Sequence, residues 1–529
     1  MIGRRSLALL ILPAAFTAVL FAMRASSLPF WQSFNLDPDY YYLLNGLMLV
    51  EMLAPTDISH PGTPVQVLIA LVLRLMHPSL PAAGVVEAVL DQPEAHLVMV
   101  TTVMFPLVGL GLFWLGRVFL TATGNLMPAL LAQSAPFLSM IIPKFGLHPK
   151  PEAFLIIAVA PLMAAALHAA RAERLEDRHA IWLGMAIGFG IACKIHFVAM
   201  GLVPLFLLDR RRLFLVLPLA TAAGFFLFVS PALPSWQIFV DWWGRVAVSS
   251  GAYGTGAATV IDPTRYPRAF FNLFASKLIF TAVFLAGWAA LAGYVRLRRR
   301  GLIAADPFAR LLAGILLAQL ATVVLVAKQS AAHYMVPAVM MTGPAMAVLW
   351  VVTARMFPER GHARGWLAVA VLLVVVQVPA TWKQNAELAR WSKATMGFDM
   401  TPFAACAKID FDASSSLPYA LQRGDMNAQA RYSPKLATRM PADQYTWFTN
   451  DHSYWKRGFM QWNQPRDFGQ VLAAYPCAVF RGTQAWTARS EAQRLAPGFV
   501  FDDHCFAGED DFLTKGIKCS GEVVRPLAN

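Results

Sequence analysis

The stretch Phe308–Ala327, FARLLAGILLAQLATVVLVA, runs for twenty residues with one charge, Arg310, and no proline, and stops at Lys328. The hydrocarbon core of a bilayer needs about 20 mostly apolar residues from one helix, so this run is predicted to span a membrane. Ten more runs of the same character lie at about 6–23, 96–116, 125–142, 152–170, 180–193, 197–208, 213–230, 274–295, 335–354 and 366–381. The fifth and sixth in chain order are short and meet at Ile191-Ala-Cys-Lys-Ile-His196. They are counted as two because the charge pattern then stays consistent. The fold class expected is a polytopic α-helical membrane protein with about eleven transmembrane helices.

Composition agrees. Of 529 residues 57% are hydrophobic and 14% charged, with a mean hydropathy of +0.51, whereas soluble proteins carry about 25% charged residues. An ordinary cytosolic enzyme, a disordered chain and a secreted disulfide scaffold are excluded. The net charge of +13 is uneven: residues 1–381 hold 27 basic and 16 acidic groups, and residues 382–529 hold 17 and 15. A basic surplus within the most apolar part of a chain reports membrane topology, and no nucleic-acid partner is expected.

With the N-terminus inside, the cytoplasmic loops contain Arg4, Arg5, Arg117, Arg171, Arg174, Arg178, Arg210–Arg212, Arg296, Arg298–Arg300, Arg310, Arg355, Arg360 and Arg364, with no lysine. The expected placement is the bacterial inner membrane, multi-pass, N-terminus cytoplasmic and C-terminal domain periplasmic. Met1–Met23 reads as an anchor, since no small-x-small cleavage site precedes Leu28-Pro29. Two outer loops are long, at about 24–95 and 231–273. The first contains two amphipathic stretches, Tyr40–Leu53 and Thr63–His77, read as helices lying along the interface. The second is rich in Trp, Gly and Tyr.

After residue 381 no further span appears. Lys408–Asp412 and Cys477–Arg481 are strand-like and Phe468–Tyr475 helix-like, so residues 382–529 are expected to form a small α/β or α+β domain. Four of the five cysteines, Cys406, Cys477, Cys505 and Cys519, lie in this tail. An even set outside the cytoplasm fits two disulfides, for which three pairings exist. A Cys505–Cys519 hairpin around Asp510-Asp511 is preferred, which leaves Cys406–Cys477. No CxxC spacing supports a zinc site.

The short outer loops contain four lysines and nothing else basic: Lys144, Lys150, Lys194 and Lys328. An ammonium is a compact partner for phosphate, while interface snorkelling accounts for any one of them taken alone. Carboxylates narrow the choice. Leu36-Asp-Pro-Asp-Tyr-Tyr-Tyr42 places Asp37 and Asp39 just outside the first span, and Glu152 opens the fourth within His148-Pro-Lys-Pro-Glu152. Two carboxylates on one outer surface suit a general base and a supporting acid. Helix capping explains one aspartate but not the pair.

In this order the motifs resemble the GT-C superfamily of integral-membrane glycosyltransferases, in particular the protein O-mannosyltransferase and lipid A aminoarabinose or galacturonic acid transferase branch. Asp39-Tyr40-Tyr41 stands where that family has an acidic motif after its first span, with Tyr40 where glutamate is common and Asp37 two residues earlier. His60-Pro-Gly-Thr-Pro64 is similar to its His/Lys-Pro-Pro motif, with Gly62 in place of the second proline. Lys150-Pro-Glu152 resembles an Arg-Pro-Asp/Glu motif, Cys193-Lys194-Ile195 a Thr-Lys-Gly motif, and Lys328…His333-Tyr334-Met-Val-Pro337 a Lys/Arg…Arg-Tyr…Pro motif. The likeness covers residues 1–380, a transmembrane catalytic domain.

The resemblance implies inverting transfer from a polyprenyl-phosphate sugar to a hydroxyl or amine of an envelope glycolipid, polysaccharide or protein. Asp39 or Asp37 is then the base, with Glu152 beside it. Lys194, Lys328 and His333 stabilise the leaving phosphate, supported by Tyr334, Lys150, His148 and Lys144. His60, Tyr41, Trp242, Trp243, Arg245 and Tyr253 belong to the loops that close on the sugar. Phosphate is an adequate leaving group, so no cofactor and no divalent metal is required, although oligosaccharyltransferases of the superfamily use one. Two other classes compete. A ligase or polymerase using diphosphate-linked oligosaccharides is favoured by Arg245, Arg265 and Arg268. A secondary transporter is disfavoured by the odd span count, the absence of inverted halves and the surface position of the acids.

Overall fold

The computed structural model describes residues 7–27, 29–32, 38–251, 256–357, 362–448 and 458–519. Asp37 and Tyr253 lie outside them. Among the described residues six helices are long and apolar enough to cross a membrane: Pro93–Thr123, Pro151–Arg171, Arg211–Val248 (which includes a 3-10 turn), Leu278–Arg299, Pro307–Ala327 and Ala332–Met356. The two stretches expected as helices are helical, at Tyr40–Val50 and Thr63–Met76.

The other expected spans differ in form. The first is a helix of 16 residues, Ile11–Ser26, and the fifth one of 17, Asp177–Cys193. The third is broken into Leu126–Gln133, a 3-10 turn Ala135–Phe137 and Ile141–Gly146. Pro128, Pro136 and Pro143 punctuate this run, and proline removes a backbone donor and disfavours helix in the residue before it. The sixth is not an α-helix. After Cys193 the chain makes a 3-10 run, Ile195–Leu202, and then lies directly on the helix Pro307–Ala327. A Cβ at Gly314 would come within 2.0 Å of the Val203 carbonyl oxygen, so only glycine permits that approach. The eleventh falls inside a 36-residue helix, His362–Gly397, which carries the chain from the membrane part into the tail.

The tail is a seven-stranded mixed sheet flanked by helices. Its strands are β1 Ala407–Phe411, β2 Gln444–Phe448, β3 Gly458–Gln461, β4 Gln464–Pro465, β5 Ala478–Gly482, β6 Asp503–Ala507 and β7 Asp510–Lys515. Their order is β4-β3-β2-β1-β5-β7-β6. β1 runs parallel to both β2 and β5, with Ile409 opposite Tyr445 and Phe480, and the outer pairs are antiparallel. Phe411, Trp447, Phe480 and Leu513 form a buried layer on the sheet. The disulfides pair as expected, Cys406 with Cys477 and Cys505 with Cys519; Cys193 is a buried free thiol.

The tail docks on the first outer loop. Leu421, Tyr432, Leu436 and Trp462 share one apolar core with Leu43, Leu47, Ile69 and Val86. At its rim Arg431 holds both carboxylate oxygens of Glu51, at 2.8 and 2.9 Å, and the Tyr432 hydroxyl adds a bond of 2.8 Å. A bidentate guanidinium–carboxylate pair fixes orientation as well as contact. Leu97 and Val100 of the helix Pro93–Thr123 belong to the same core, so tail, loop helices and bundle pack together there.

Candidate active site

Asp39 sits at the turn that starts the helix Tyr40–Val50 and is almost completely buried. Its partners arrive from the segment His148-Pro-Lys-Pro-Glu152. Proline pushes the residue before it into extended backbone, and Lys150 is extended, with φ −126° and ψ 166°. Its amide bonds back to the His148 carbonyl at 2.7 Å, a tight turn around Pro149, and His148 and Lys150 both reach Asp39. The His148 Nδ1 lies 2.8 and 3.0 Å from the two carboxylate oxygens, and the Lys150 Nζ lies 4.0 Å from one of them.

Burial alone would raise the Asp39 carboxyl. His148, Lys150 and Arg24 outweigh it and hold the group below its ordinary value. Burial pushes the His148 imidazole down more than Asp39 lifts it. At neutral pH this is an ionised aspartate accepting from a neutral imidazole, so the Nδ1 carries the proton, because a carboxylate can only accept. Arg24 lies behind Asp39, at the end of the first helix. It is buried, donates to the Ser27 carbonyl and rests 3.9 Å above the Phe30 ring. Glu94 accepts from the Tyr40 hydroxyl and, at 2.9 Å, from the Phe30 amide. Arg24 and Glu94 thus frame the aspartate.

A second ion pair joins Glu152 to Lys194, with both side chains about 95% buried. The Lys194 ammonium lies 4.9 Å from the centroid of the Tyr334 ring. Around that ring is a box of imidazoles and an indole. His196 stacks on Tyr334 at 4.2 Å with the planes 11° apart, and His60 meets it edge-on at 5.5 Å. Trp243 stands 6.4 Å from each of these histidines, held by an indole bond of 2.9 Å to the Ser59 carbonyl. His333 packs against Tyr334 at 4.2 Å and Phe145 at 5.0 Å. The Nδ1 atoms of His60 and His196 are buried without a hydrogen-bond partner. Burial, reinforced by Lys194, His196 and His333, keeps His60 far below its usual value and hence neutral. Among the described residues no group hydrogen-bonds either of these ring nitrogens, although buried polar atoms are normally satisfied.

Other expected site residues lie elsewhere. Lys328 donates to the carbonyls of Val246 and Ala247, at 2.5 and 3.2 Å. It clamps the end of the helix Trp236–Val248 that brings Trp243 to the box. Tyr41 turns toward the tail, with the Arg423 guanidinium 5.8 Å from its ring. Trp242 is buried and Arg245 exposed on the same helix. Lys144 faces the tail, where its charge acts on Glu509; burial raises that carboxyl to about 7. His196, Arg24 and Glu94 were not expected at the site. The position of His196 two residues beyond Lys194 was the available signal. Among the described residues no group of three or more His, Cys, Asp or Glu side chains is arranged to hold a metal ion.

The sequence matches no protein-family model and no curated protein. In fold it is similar to ArnT from Cupriavidus metallidurans, solved in the apo state (TM-score 0.49) and bound to undecaprenyl phosphate (TM-score 0.45). Each comparison has 12% sequence identity and covers 95% of this chain and 97% of that one.

Proposed function

We propose that this chain is a membrane glycosyltransferase of GT-C type, which transfers a sugar from a polyprenyl-phosphate donor to a hydroxyl or amine on the periplasmic side, with inversion. The observation that carries this reading is the convergence of Asp39, His148, Lys150, Glu152, Lys194, His60 and Tyr334. All five motifs in the sequence resemblance supply six of them, from separate parts of the chain, and His148 stands just before the third. Asp39 is the base: held ionised, it takes the acceptor proton as the acceptor oxygen or nitrogen bonds to the anomeric carbon. The bond from that carbon to the phosphate oxygen breaks at the same time, and its electron pair leaves with the polyprenyl phosphate. Lys194, Lys150 and the His333 side of the box lie where that charge is stabilised in a site shielded from water. The Tyr334, His60, His196 and Trp243 rings offer stacking faces and two free nitrogens to sugar hydroxyls.

The ligase or polymerase reading needs arginines at the reaction centre. Arg245, Arg265 and Arg268 are exposed, so no observation favours it. The test is transfer from a polyprenyl-phosphate sugar by Asp39→Asn and Asp37→Asn enzymes, alongside mass spectrometry of envelope glycolipids from cells with and without the protein. Loss of transfer in Asp39→Asn supports the assignment. Full activity in both variants would overturn it.

A further inference from the structure

The helix Pro307–Ala327 carries Lys328 at its site end, and at its other end, about 30 Å away at 1.5 Å per residue, lies a second opening. There it joins the helix Leu278–Arg299 around a cavity of about 620 Å³. Ligand sites commonly occupy about 300–1,000 Å³. The walls are apolar, with Phe206, Trp288 and Val295 exposed on the flank of the bundle, and the rim carries Arg298 and Arg310. Both arginines are exposed, and among the described residues neither has a carboxylate partner.

The wall between them is built and neutral. Asp306 pairs with Arg355 and accepts from the Phe308 amide at 2.9 Å, while its own amide donates to the Tyr294 hydroxyl at 2.7 Å. Among the described lining residues the one acid, Asp306, is therefore already paired, and two guanidinium groups without a described carboxylate partner stand over an apolar trough. Snorkelling alone would explain arginines at a helix end. It does not require that they overhang a cavity of ligand size.

We infer that this groove holds one anionic glycerophospholipid from the leaflet at that end, with its phosphate between Arg298 and Arg310 and its acyl chains along Phe206 and Trp288. Apolar walls opening on the membrane flank select a lipid over free phosphate, and basic pockets between transmembrane helices bind anionic headgroups. The site is independent of the reaction proposed above. On the charge reading it lies at the cytoplasmic end.

The test is native mass spectrometry of the full chain released from nanodiscs of phosphatidylglycerol or of phosphatidylcholine, with inorganic phosphate as competitor. One retained phosphatidylglycerol per chain is expected, with no retained phosphatidylcholine and no displacement by phosphate. An Arg298→Ala/Arg310→Ala protein should bind about 30-fold more weakly, from roughly fivefold per arginine near an anionic surface, and Arg298→Lys/Arg310→Lys should keep most of the affinity. Thermal midpoints in phosphatidylcholine should be unchanged, because both side chains are exposed. Equal retention of the two lipids, or undiminished binding in the alanine variant, would overturn the inference. Displacement by inorganic phosphate would do so as well, by making this a free-phosphate site.

Discussion

Replacing Lys194 by methionine separates what the Glu152–Lys194 pair does for the fold from what it does for the reaction. Both side chains are about 95% buried, so Lys194→Met strands an ionised carboxylate in a place water does not reach. Removing one partner of a buried pair costs about 3–5 kcal/mol, whereas replacing both partners by well-packed neutral groups is often neutral or stabilising. Lys194→Met and Glu152→Gln should therefore each lower the thermal midpoint, and the double variant should recover most of that loss. Transfer should not recover. A cation on the departing phosphate does the work of an oxyanion-hole donor, worth about 10²–10³ in rate, so the double variant should remain at least 100-fold slow. The assays are differential scanning fluorimetry and polyprenyl-phosphate-sugar transfer in the same nanodiscs. A double variant that regains both stability and full transfer would refute the reasoning, since Lys194 would then be purely structural. A single variant with unchanged stability would refute the burial argument.

The pH dependence of kcat/KM tests Asp39 directly. A base works only when ionised, and this carboxyl is held below its ordinary value, so the acid limb should fall below about pH 4; a limb between 5 and 6 would assign the base elsewhere. Gly62 has φ +67°, and a Cβ there would lie 2.9 Å from the Tyr42 ring. Gly62→Ala should cost at least about 1–2 kcal/mol from the left-handed backbone alone, measured as the unfolding free energy in denaturant, and a wild-type value would show that the loop adopts another conformation. The two disulfides close loops of 71 and 14 residues. Loop entropy then makes the loss of Cys406–Cys477 costlier, about 4 kcal/mol against about 3 kcal/mol for Cys505–Cys519. Near-ultraviolet circular dichroism of the paired Cys→Ala variants in denaturant checks that order.

Much of the site was legible because its chemistry sits in short motifs whose local conformation is dictated by proline and glycine. The segment His148-Pro-Lys-Pro-Glu152 was singled out for its charges, and a tight turn around Pro149 followed by a helix start at Pro151 aims His148 and Lys150 at Asp39. The glycine that departs from the family motif at position 62 is explained by its positive φ, which the ring of proline forbids. The contact Lys328 makes was not legible, because a lysine at the mouth of a span has the same sequence signature whether it meets phosphate or the carbonyl end of a neighbouring helix. Arg24 and Glu94 were invisible because a single charge at a helix end is ordinary, and only the fold brings them to the Tyr40 and Phe30 side of Asp39.

Local hydropathy and charge determined the membrane class, the two helices between the first and second spans, the strand segments of the tail and the disulfide set. These depend on which residues are apolar, polar or thiol within one window of chain. The tertiary structure decided whether an apolar run is one helix, a proline-broken pair or a 3-10 segment lying on Gly314. It decided which of four outer lysines stands beside a carboxylate. It also brought the buried residues 24, 39, 148, 150, 152, 194 and 334 together, with Glu94 half-buried beside them. Ion pairing and burial are set by packing between distant segments, and a window of sequence cannot contain that distance.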